Sequence, residues 1–301
     1  MNRFTLRQSF LLFLAATIWG TAFVAQSVGM DYVEPFTFTA VRNIIGGTVL
    51  LPVIFVLSKT KKITVSDATP SIPWYQNKTL LLGGICCGII MFVASNLQQI
   101  GIQYTTVAKA GFITAMYIVL VPIFGVFLHR KVGIRVGVAV CMAVAGLYLL
   151  CMTEDNFSLQ TGDLLVLACA VAFTFHILAI DHFSPLVDAV KLSCIQFYTC
   201  AVLSTICMFL FETPSIDAIL TAWMPILYAG AMSSGVAFTL QIIGQKGLNP
   251  TVASLIMSLE SVISLIAGWI ILGESLTNRE LIGCVIVFAA IVLVQLNHSE
   301  E

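Results

Sequence analysis

Residues 11–29 read LLFLAATIWGTAFVAQSVG, and residues 164–182 read LLVLACAVAFTFHILAIDH. Leu11, Leu12, Leu14 and Ala15 fall on Leu164, Leu165, Leu167 and Ala168, an offset of 164 − 11 = 153 residues. A second pair follows, AGFITAMYIVLVPIFGVFL at 110–128 and ASLIMSLESVISLIAGWIIL at 253–272, offset by 253 − 110 = 143. A helix needs ~20 apolar residues to cross the hydrocarbon core of a bilayer, and each of these stretches is about that long. The chain holds ten such runs, at 10–28, 36–57, 80–100, 108–128 and 132–152, then at 164–180, 192–211, 223–243, 252–272 and 281–296. The second five replay the first five. Because five is odd, the second copy must enter the membrane upside down. Inverted repeats place a shared site near the midplane and expose it to one side at a time. The expected fold is an all-α integral membrane protein, with ten transmembrane helices in two inverted five-helix repeats around a central cavity. The repeats are expected at 1–152 and 153–301, together one membrane domain.

Composition agrees. The chain of 301 residues is 59% hydrophobic and 10% charged, with mean hydropathy +1.00, whereas soluble domains carry roughly 25% charged residues. Runs this long in lipid must satisfy their backbone polar groups internally, which leaves helices. No segment is long enough for a soluble catalytic or nucleic-acid-binding domain, so nucleic acid is excluded as a partner. The lipid bilayer is expected instead. The basic N-terminal residues before the first run raise the possibility of a cleaved signal peptide. Its internal copy at 164–182 argues for a retained span.

Basic residues set the orientation. With a cytoplasmic N-terminus, Arg3, Arg7, Lys59, Lys61, Lys62, Lys78, Arg130, Lys131, Arg135, Lys191 and Lys246 all lie on the cytoplasmic side. Only Arg279 lies outside, and Arg42 and Lys109 lie within spans, which accounts for all 14 Lys and Arg. Both termini, the polar segment 58–78 and the turn at 129–135 are therefore expected in the cytoplasm of a cell-membrane protein. A hinge at 153–162 joins the halves.

The charges within the spans carry the functional expectation, since Arg, Lys or Asp near a helix centre costs about 2.5–3.5 kcal/mol on insertion. Arg42 lies about two turns into run two beside Asn43, which favours an inward-facing role. Lys109, near the outer end of run four, has snorkelling to the interface as an equal alternative. Glu260 is mid-span on a short stem and must be protonated or paired, which makes it a candidate for substrate binding or proton coupling. The plain alternative for Arg42 and Glu260 is a structural ion pair. Asn96 and Gln99 are three apart on one face of run three, near Gln98 and Gln103. Thr114 and Tyr117 share a face of run four, and Tyr117 is the repeat mate of Glu260 (117 + 143 = 260). Trp19 is mid-span, placed equally well to stack on a substrate or to fill the bundle. The cavity candidates are thus Trp19, Arg42, Asn96, Gln99, Thr114, Tyr117 and Glu260. His176, Gln196, Gln241 and Gln245 form a weaker set, His176 being more readily a packing residue than a relay.

The nine cysteines all lie in or at the ends of apolar runs, where Cys packs as a small hydrophobe. No Cys/His spacing suggests zinc, so neither a metal nor a cofactor is expected. Nothing resembles a phosphate loop, a nucleophile with its base, or paired catalytic carboxylates, which argues against an enzyme.

Several segments resemble the drug/metabolite transporter superfamily in its EamA-type branch. They are TIWGTAFVA at 17–25, Arg42, YIVLVPIFG at 117–125, and SLESVISLIAGWIILGESLTNRELIG at 258–283 with Glu260, Trp269, Gly273, Glu274 and Gly283. The sequence departs from the family where Glu260 is followed by Ser261 instead of Pro, and where HRKVG at 129–133 stands opposite Gly273-Glu274. The resemblance implies ten helices in two inverted bundles, a central cavity, and movement of amino acids, metabolites or drugs. The expected function is a secondary transporter, an exporter working by alternating access, with Glu260 the candidate for coupling to protons. An uncoupled uniporter is the alternative within transport, and a non-transport intramembrane protein or a channel lies outside it.

Overall fold

The computed structural model describes residues 3–64, 76–105, 107–127, 133–151, 161–272 and 277–297, and every regular element among them is helical. Much of the segment 58–78, most of the turn at 129–135, nearly all of the hinge at 153–162, the Gly273-Glu274 pair and the last residues lie outside the described residues. So do the side chains of Lys109 and of 58–64.

Among the described residues, eight helices are long and apolar enough to cross a membrane: Arg3–Gly29, Pro35–Leu57, Lys78–Ile102, Ala110–Phe127, Thr161–Phe183, Ala189–Phe211, Trp223–Gln245 and Pro250–Ile271. Two shorter apolar helical stretches, Ile134–Gly146 and Leu281–Leu293, stand at runs five and ten. The first three spans are α1 (Arg3–Gly29), α2 (Pro35–Thr64) and α3 (Lys78–Ile102). Helix α2 runs past the end of its apolar run to Thr64, over a stretch whose lysines are good helix formers. Run four is split into α4 (Val107–Thr114) and α5 (Tyr117–Phe127), followed by α6 (Ile134–Cys151). The second half opens with α7 (Thr161–Phe183) and α8 (Ala189–Phe211). After the short α9 (Ile216–Thr221), run eight comprises α10 (Trp223–Leu227), a π-helical stretch Tyr228–Phe238 and α11 (Thr239–Gln245). Run nine is split into α12 (Pro250–Met257) and α13 (Leu259–Ala267), and α14 (Asn278–Asn297) is the last helix.

The burial pattern is that of a protein solvated by lipid. Large apolar side chains such as Phe127, Phe209, Phe211 and Ile270 face outward, while Arg42, Glu260, Gln26, Gln98, Gln99, Gln196 and Gln241 are buried between helices. Lipid tails offer helices no hydrophobic drive to associate, so close approach through small residues supplies the packing. A Cβ on Gly20 would sit 2.6 Å from Cβ of Ile263 and 2.7 Å from the Glu260 carbonyl oxygen, which shows how closely α1 meets α13. Likewise Gly46 abuts Ser234, and Gly230 abuts Ile45 and the Arg42 carbonyl, joining α2 to the π-helical stretch.

The main contacts between halves come in exchangeable pairs. Helix α3 packs on α7 and α8, while the π-helical stretch and α11 pack on α1 and the π-helical stretch on α2; α1 packs on α12 and α13, while α7 packs on α4 and α5. Two further pairs, α2 with α8 and α6 with α14, map onto themselves. At one end of the α2–α8 pair, Glu212 just beyond α8 caps α2. Its carboxylate accepts from the backbone N–H groups of Phe36 and Thr37 and from the Thr37 hydroxyl, each at 2.7 Å. An anion there offsets the unpaired N–H groups and dipole of the helix start. The carboxylate of Glu34 in turn accepts from Thr213 N–H at 3.2 Å.

Candidate functional site

Where the halves meet, α1, α2, α3, α4, α5, α7, the π-helical stretch, α11, α12 and α13 surround one cavity. Its wall consists of Trp19, Phe23, Gln26, Arg42, Gln98, Thr114, Tyr117, Phe173, Ile177, Ser233, Phe238, Gln241, Met257 and Glu260. About 40 Å³ is open to the centre of a water-sized sphere. That admits a few waters or part of a small solute.

Two interrupted helices shape the cavity at repeat-related positions. Between α4 and α5 the backbone tightens, with Met116 N–H donating to Ile113 O at 3.1 Å and Ile118 N–H to Ala115 O at 3.0 Å. Between α12 and α13, Ser261 N–H donates to Ser258 O at 3.2 Å. Within α5, just after the first break, Pro122 has no N–H for the Ile118 carbonyl and its ring crowds the preceding turn. The second break lacks a proline at 261, and serines take its place. Ser258 Oγ donates to Leu255 O at 2.7 Å, and Ser254 Oγ and Ser264 Oγ donate to Thr251 O and Ser261 O at 2.9 Å. Hydroxyls bonded back onto the helix compete for carbonyls and bend it. Ser261 Oγ crosses to the Gly111 carbonyl at 2.8 Å, tying run nine to run four. Thr114 and Tyr117 flank the first break, Met257 and Glu260 the second, and all four line the cavity. They are repeat mates, since 114 + 143 = 257 and 117 + 143 = 260.

Most of the polar side chains have defined partners. Tyr117 Oη donates to Glu260 Oε1 at 2.9 Å across the two halves. Arg42 Nη1 donates to Gln26 Oε1 at 2.9 Å, and its guanidinium carbon lies 5.9 Å from the Phe38 ring centroid, within cation–π range. Arg42 and Glu260 therefore do not form the ion pair that their sequence positions allowed. Gln98 Nε2 donates to Thr114 Oγ1 at 3.1 Å. Trp19 Nε1 donates to the Ser233 carbonyl at 3.3 Å, and its ring meets Phe238 edge-on at 4.7 Å between centroids. That carbonyl belongs to the π-helical stretch, a form of helix found frequently at functional sites.

Of the seven sequence candidates, Trp19, Arg42, Thr114, Tyr117 and Glu260 stand in the cavity wall. Asn96 and Gln99 are buried beside it instead. Asn96 Nδ2 donates to Ser204 Oγ at 3.0 Å and to Phe92 O at 2.8 Å, tying α3 to α8. Gln99 Nε2 reaches the backbone oxygen of Gln26 at 3.3 Å. His176 Nε2 meets Gln196 Oε1 at 3.2 Å behind Phe173 and Phe238. The cavity also holds Phe23, Gln26, Phe173, Ile177, Ser233, Phe238 and Met257, which sequence reasoning did not single out, and it gives Gln98 and Gln241 a larger part than expected. One signal was available, because Gln98 and Gln241 are repeat mates at 98 + 143 = 241. Among the described residues, no group of three or more His, Cys, Asp or Glu side chains is placed to hold a metal ion.

Comparison with known proteins identifies the family to which this cavity belongs. Residues 6–152 and 160–296 each match the EamA-like transporter family. An uncharacterized transporter of Archaeoglobus fulgidus is 29% identical over 286 residues, spanning 95% of this chain and 84% of that protein. The uncharacterized transporter YoaV of Bacillus subtilis is 25% identical over 289 residues, 92% of each chain. A solved crystal structure 21% identical to this chain superposes with a TM-score of 0.76 over 98% of this chain and 99% of its own, which shows a common fold. With both halves matched, apolar membrane-length helices and a polar cavity at their junction, the chain belongs to the EamA-like transporter family and is a multi-pass membrane transporter.

Proposed function

We propose that this transporter is a ten-span secondary carrier made of two inverted repeats, 1–152 and 153–301, and that it exports small molecules from the cytoplasm by alternating access. Its solutes are of the amino-acid, metabolite or drug kind, and protons exchanged at Glu260 drive it. The observation that carries this reading is the cavity wall, drawn from both halves and centred on two interrupted helices whose flanking residues are repeat mates. Discontinuous helices in corresponding positions of two halves are the usual place for a carrier's midplane site. The exchangeable helix contacts support the same symmetry. Purified protein in proteoliposomes, screened against labelled amino acids and metabolites with and without a pH difference, tests the reading. Saturable, pH-driven uptake supports a coupled carrier. Saturable flux that ignores the pH difference leaves a uniporter, and flux that does not saturate removes the carrier.

Arg42 is assigned to an anionic group on the solute, because a buried cation is costly unless it is used. Arg42→Lys keeps the charge but loses the planar fork that grips a carboxylate in two places. The expected result is an apparent KM raised about tenfold, the equivalent of about 1.4 kcal/mol, with normal membrane insertion. Arg42→Gln should do more. Transport kinetics unchanged in both variants would remove the assignment.

Both termini are assigned to the cytoplasm on the strength of the basic-residue bias. A single cysteine at Lys62 should react with an impermeant thiol reagent only after the cells are opened, and one at Glu154 should react in intact cells. Labelling of position 62 in intact cells would invert the orientation.

A further inference from the structure

Arg42 is held in the cavity wall without a counter-charge. Its Nη1 donates to Gln26 Oε1 at 2.9 Å, its guanidinium carbon lies 5.9 Å from the Phe38 ring centroid, and its buried Nε has no partner. The carboxyl group in the same wall, Glu260, is bonded to Tyr117 instead. A cation buried this deeply is ordinarily paired with a carboxylate. Here the place of that carboxylate is taken by its neutral isostere, the amide of Gln26.

Gln26 is itself fixed by two further bonds. Its Nε2 donates to Ala22 O at 3.4 Å on its own helix, which leaves Oε1 for Arg42. Its backbone oxygen accepts from Gln99 Nε2 at 3.3 Å, tying that turn of α1 to α3. The side chain is buried and stands in the cavity wall beside Arg42. Gln99, Gln26 and Arg42 thus link α3, α1 and α2 in sequence, and only the last of them carries a charge. An amide oxygen orients a guanidinium as a carboxylate would, but it carries no net charge to cancel. In a water-poor site the field of the cation is then strong.

We infer that Gln26 sets the charge selectivity of the cavity, positioning Arg42 through a neutral acceptor so that the guanidinium keeps its charge for an anionic group on the solute. This rests on the assignment of Arg42 above and deepens it. The open volume of about 40 Å³ corresponds to about three waters, room for a carboxylate or an anionic group of similar size. Gln26 is therefore a positioning residue, and replacing it by its acidic isostere should close an internal ion pair and shut the anion out.

Acetate and its neutral isostere acetamide are probes of that size. Purified, detergent-solubilised protein is melted over a concentration series of each, with ionic strength held constant by sodium gluconate, whose anion is too large for the cavity. A ligand that binds only the folded chain raises the melting temperature with its concentration. Acetate should do so in the unaltered protein, and acetamide should not. Gln26→Glu should need about tenfold more acetate or above for the same rise, since an opposite charge a few ångströms away shifts an ionic equilibrium by at least that much. Without probe it should melt no lower than the unaltered protein, because the buried cation has gained its partner. Gln26→Met removes the acceptor without adding charge. It should melt lower, weaken acetate less than Gln26→Glu does, and keep the preference over acetamide. A merely structural Gln26 would instead lower melting in both variants and leave the acetate response alike in the two. Gln26→Asp stands in if the glutamate variant elutes as aggregate.

Arg42→Gln should abolish the acetate effect. A preference lost in Arg42→Gln but undiminished in Gln26→Glu removes the role of Gln26 and leaves that of Arg42. A preference absent from the unaltered protein, or surviving Arg42→Gln, removes both. If the melts behave as expected and no solute moves in proteoliposomes, the carrier reading falls and charge selection by Gln26 stands.

Discussion

Glu260→Gln is expected to abolish proton-driven accumulation while leaving exchange of solute across the membrane intact. A difference of one pH unit is worth about 1.36 kcal/mol per proton. One proton per solute therefore sustains about a tenfold concentration ratio, with solute gathering in the compartment richer in protons. The variant should bring that ratio to about one. The physical argument starts from the cavity, where Glu260 is buried and its carboxylate receives the Tyr117 hydroxyl at 2.9 Å. Arg42, the cation in the same wall, is bonded to Gln26. Nothing in the contacts of Glu260 therefore fixes a permanent charge on it, and taking up or releasing a proton requires no salt bridge to be broken. Glutamine keeps the size and still accepts from Tyr117, so the tie between α5 and α13 survives while the proton is lost. Tyr117→Phe is the companion variant. It removes the bond without the carboxyl and should weaken coupling less than Glu260→Gln does. A ratio near tenfold in Glu260→Gln proteoliposomes would assign the coupling elsewhere.

Gly20→Ala should lower thermal stability and transport together, out of proportion to the single methyl added. The new Cβ would lie 2.6 Å from Cβ of Ile263 and 2.7 Å from the carbonyl oxygen of Glu260. The second neighbour is backbone, which has no rotamer to escape into, so α1 and α13 must separate. Inserting a methyl into a packed interior costs about 1–3 kcal/mol, and here the displaced turn carries the Glu260 side chain. Gly137 on α6 is the control, because a Cβ there meets nothing within 4 Å. Gly137→Ala should be neutral or stabilising, since alanine favours helix by about 1 kcal/mol over glycine. Melting followed by size-exclusion elution after heating would measure both. Equal melting of the two variants would show that the α1–α13 approach is less constrained than its geometry indicates.

How far the site could be read from sequence differs from residue to residue. Arg42 and Glu260 were legible because charge in an apolar run is expensive wherever it points. Thr114 and Tyr117 were legible through their repeat relation to run nine. Gln26 was not singled out, although a Gln in an apolar run carries the same kind of signal in weaker form. Asn96 and Gln99 share a helix face with each other, yet that face meets α8 and the Gln26 backbone and not the cavity. The aromatic wall was silent in sequence, because Phe173 and Phe238 look like any other phenylalanine in a lipid-spanning run.

The sequence by itself determined that this chain is helical, membrane-embedded and assembled from related halves. It could do so because lipid leaves an apolar segment no partner for its backbone except its own next turn. Hydropathy then marks the spans without reference to their neighbours. Only the tertiary structure decided which side of each span faces the cavity. In water a helix announces its buried face by apolar periodicity. In lipid both faces are apolar, so that signal is lost and packing alone sets the rotation. The break before Glu260 has the same origin. Its neighbourhood has no proline, and three serines bonded back onto their own helix, with a fourth bonded to Gly111 of the other half, form it only once the two runs are side by side. For that reason the partner of Glu260 is Tyr117, and Arg42 belongs to Gln26.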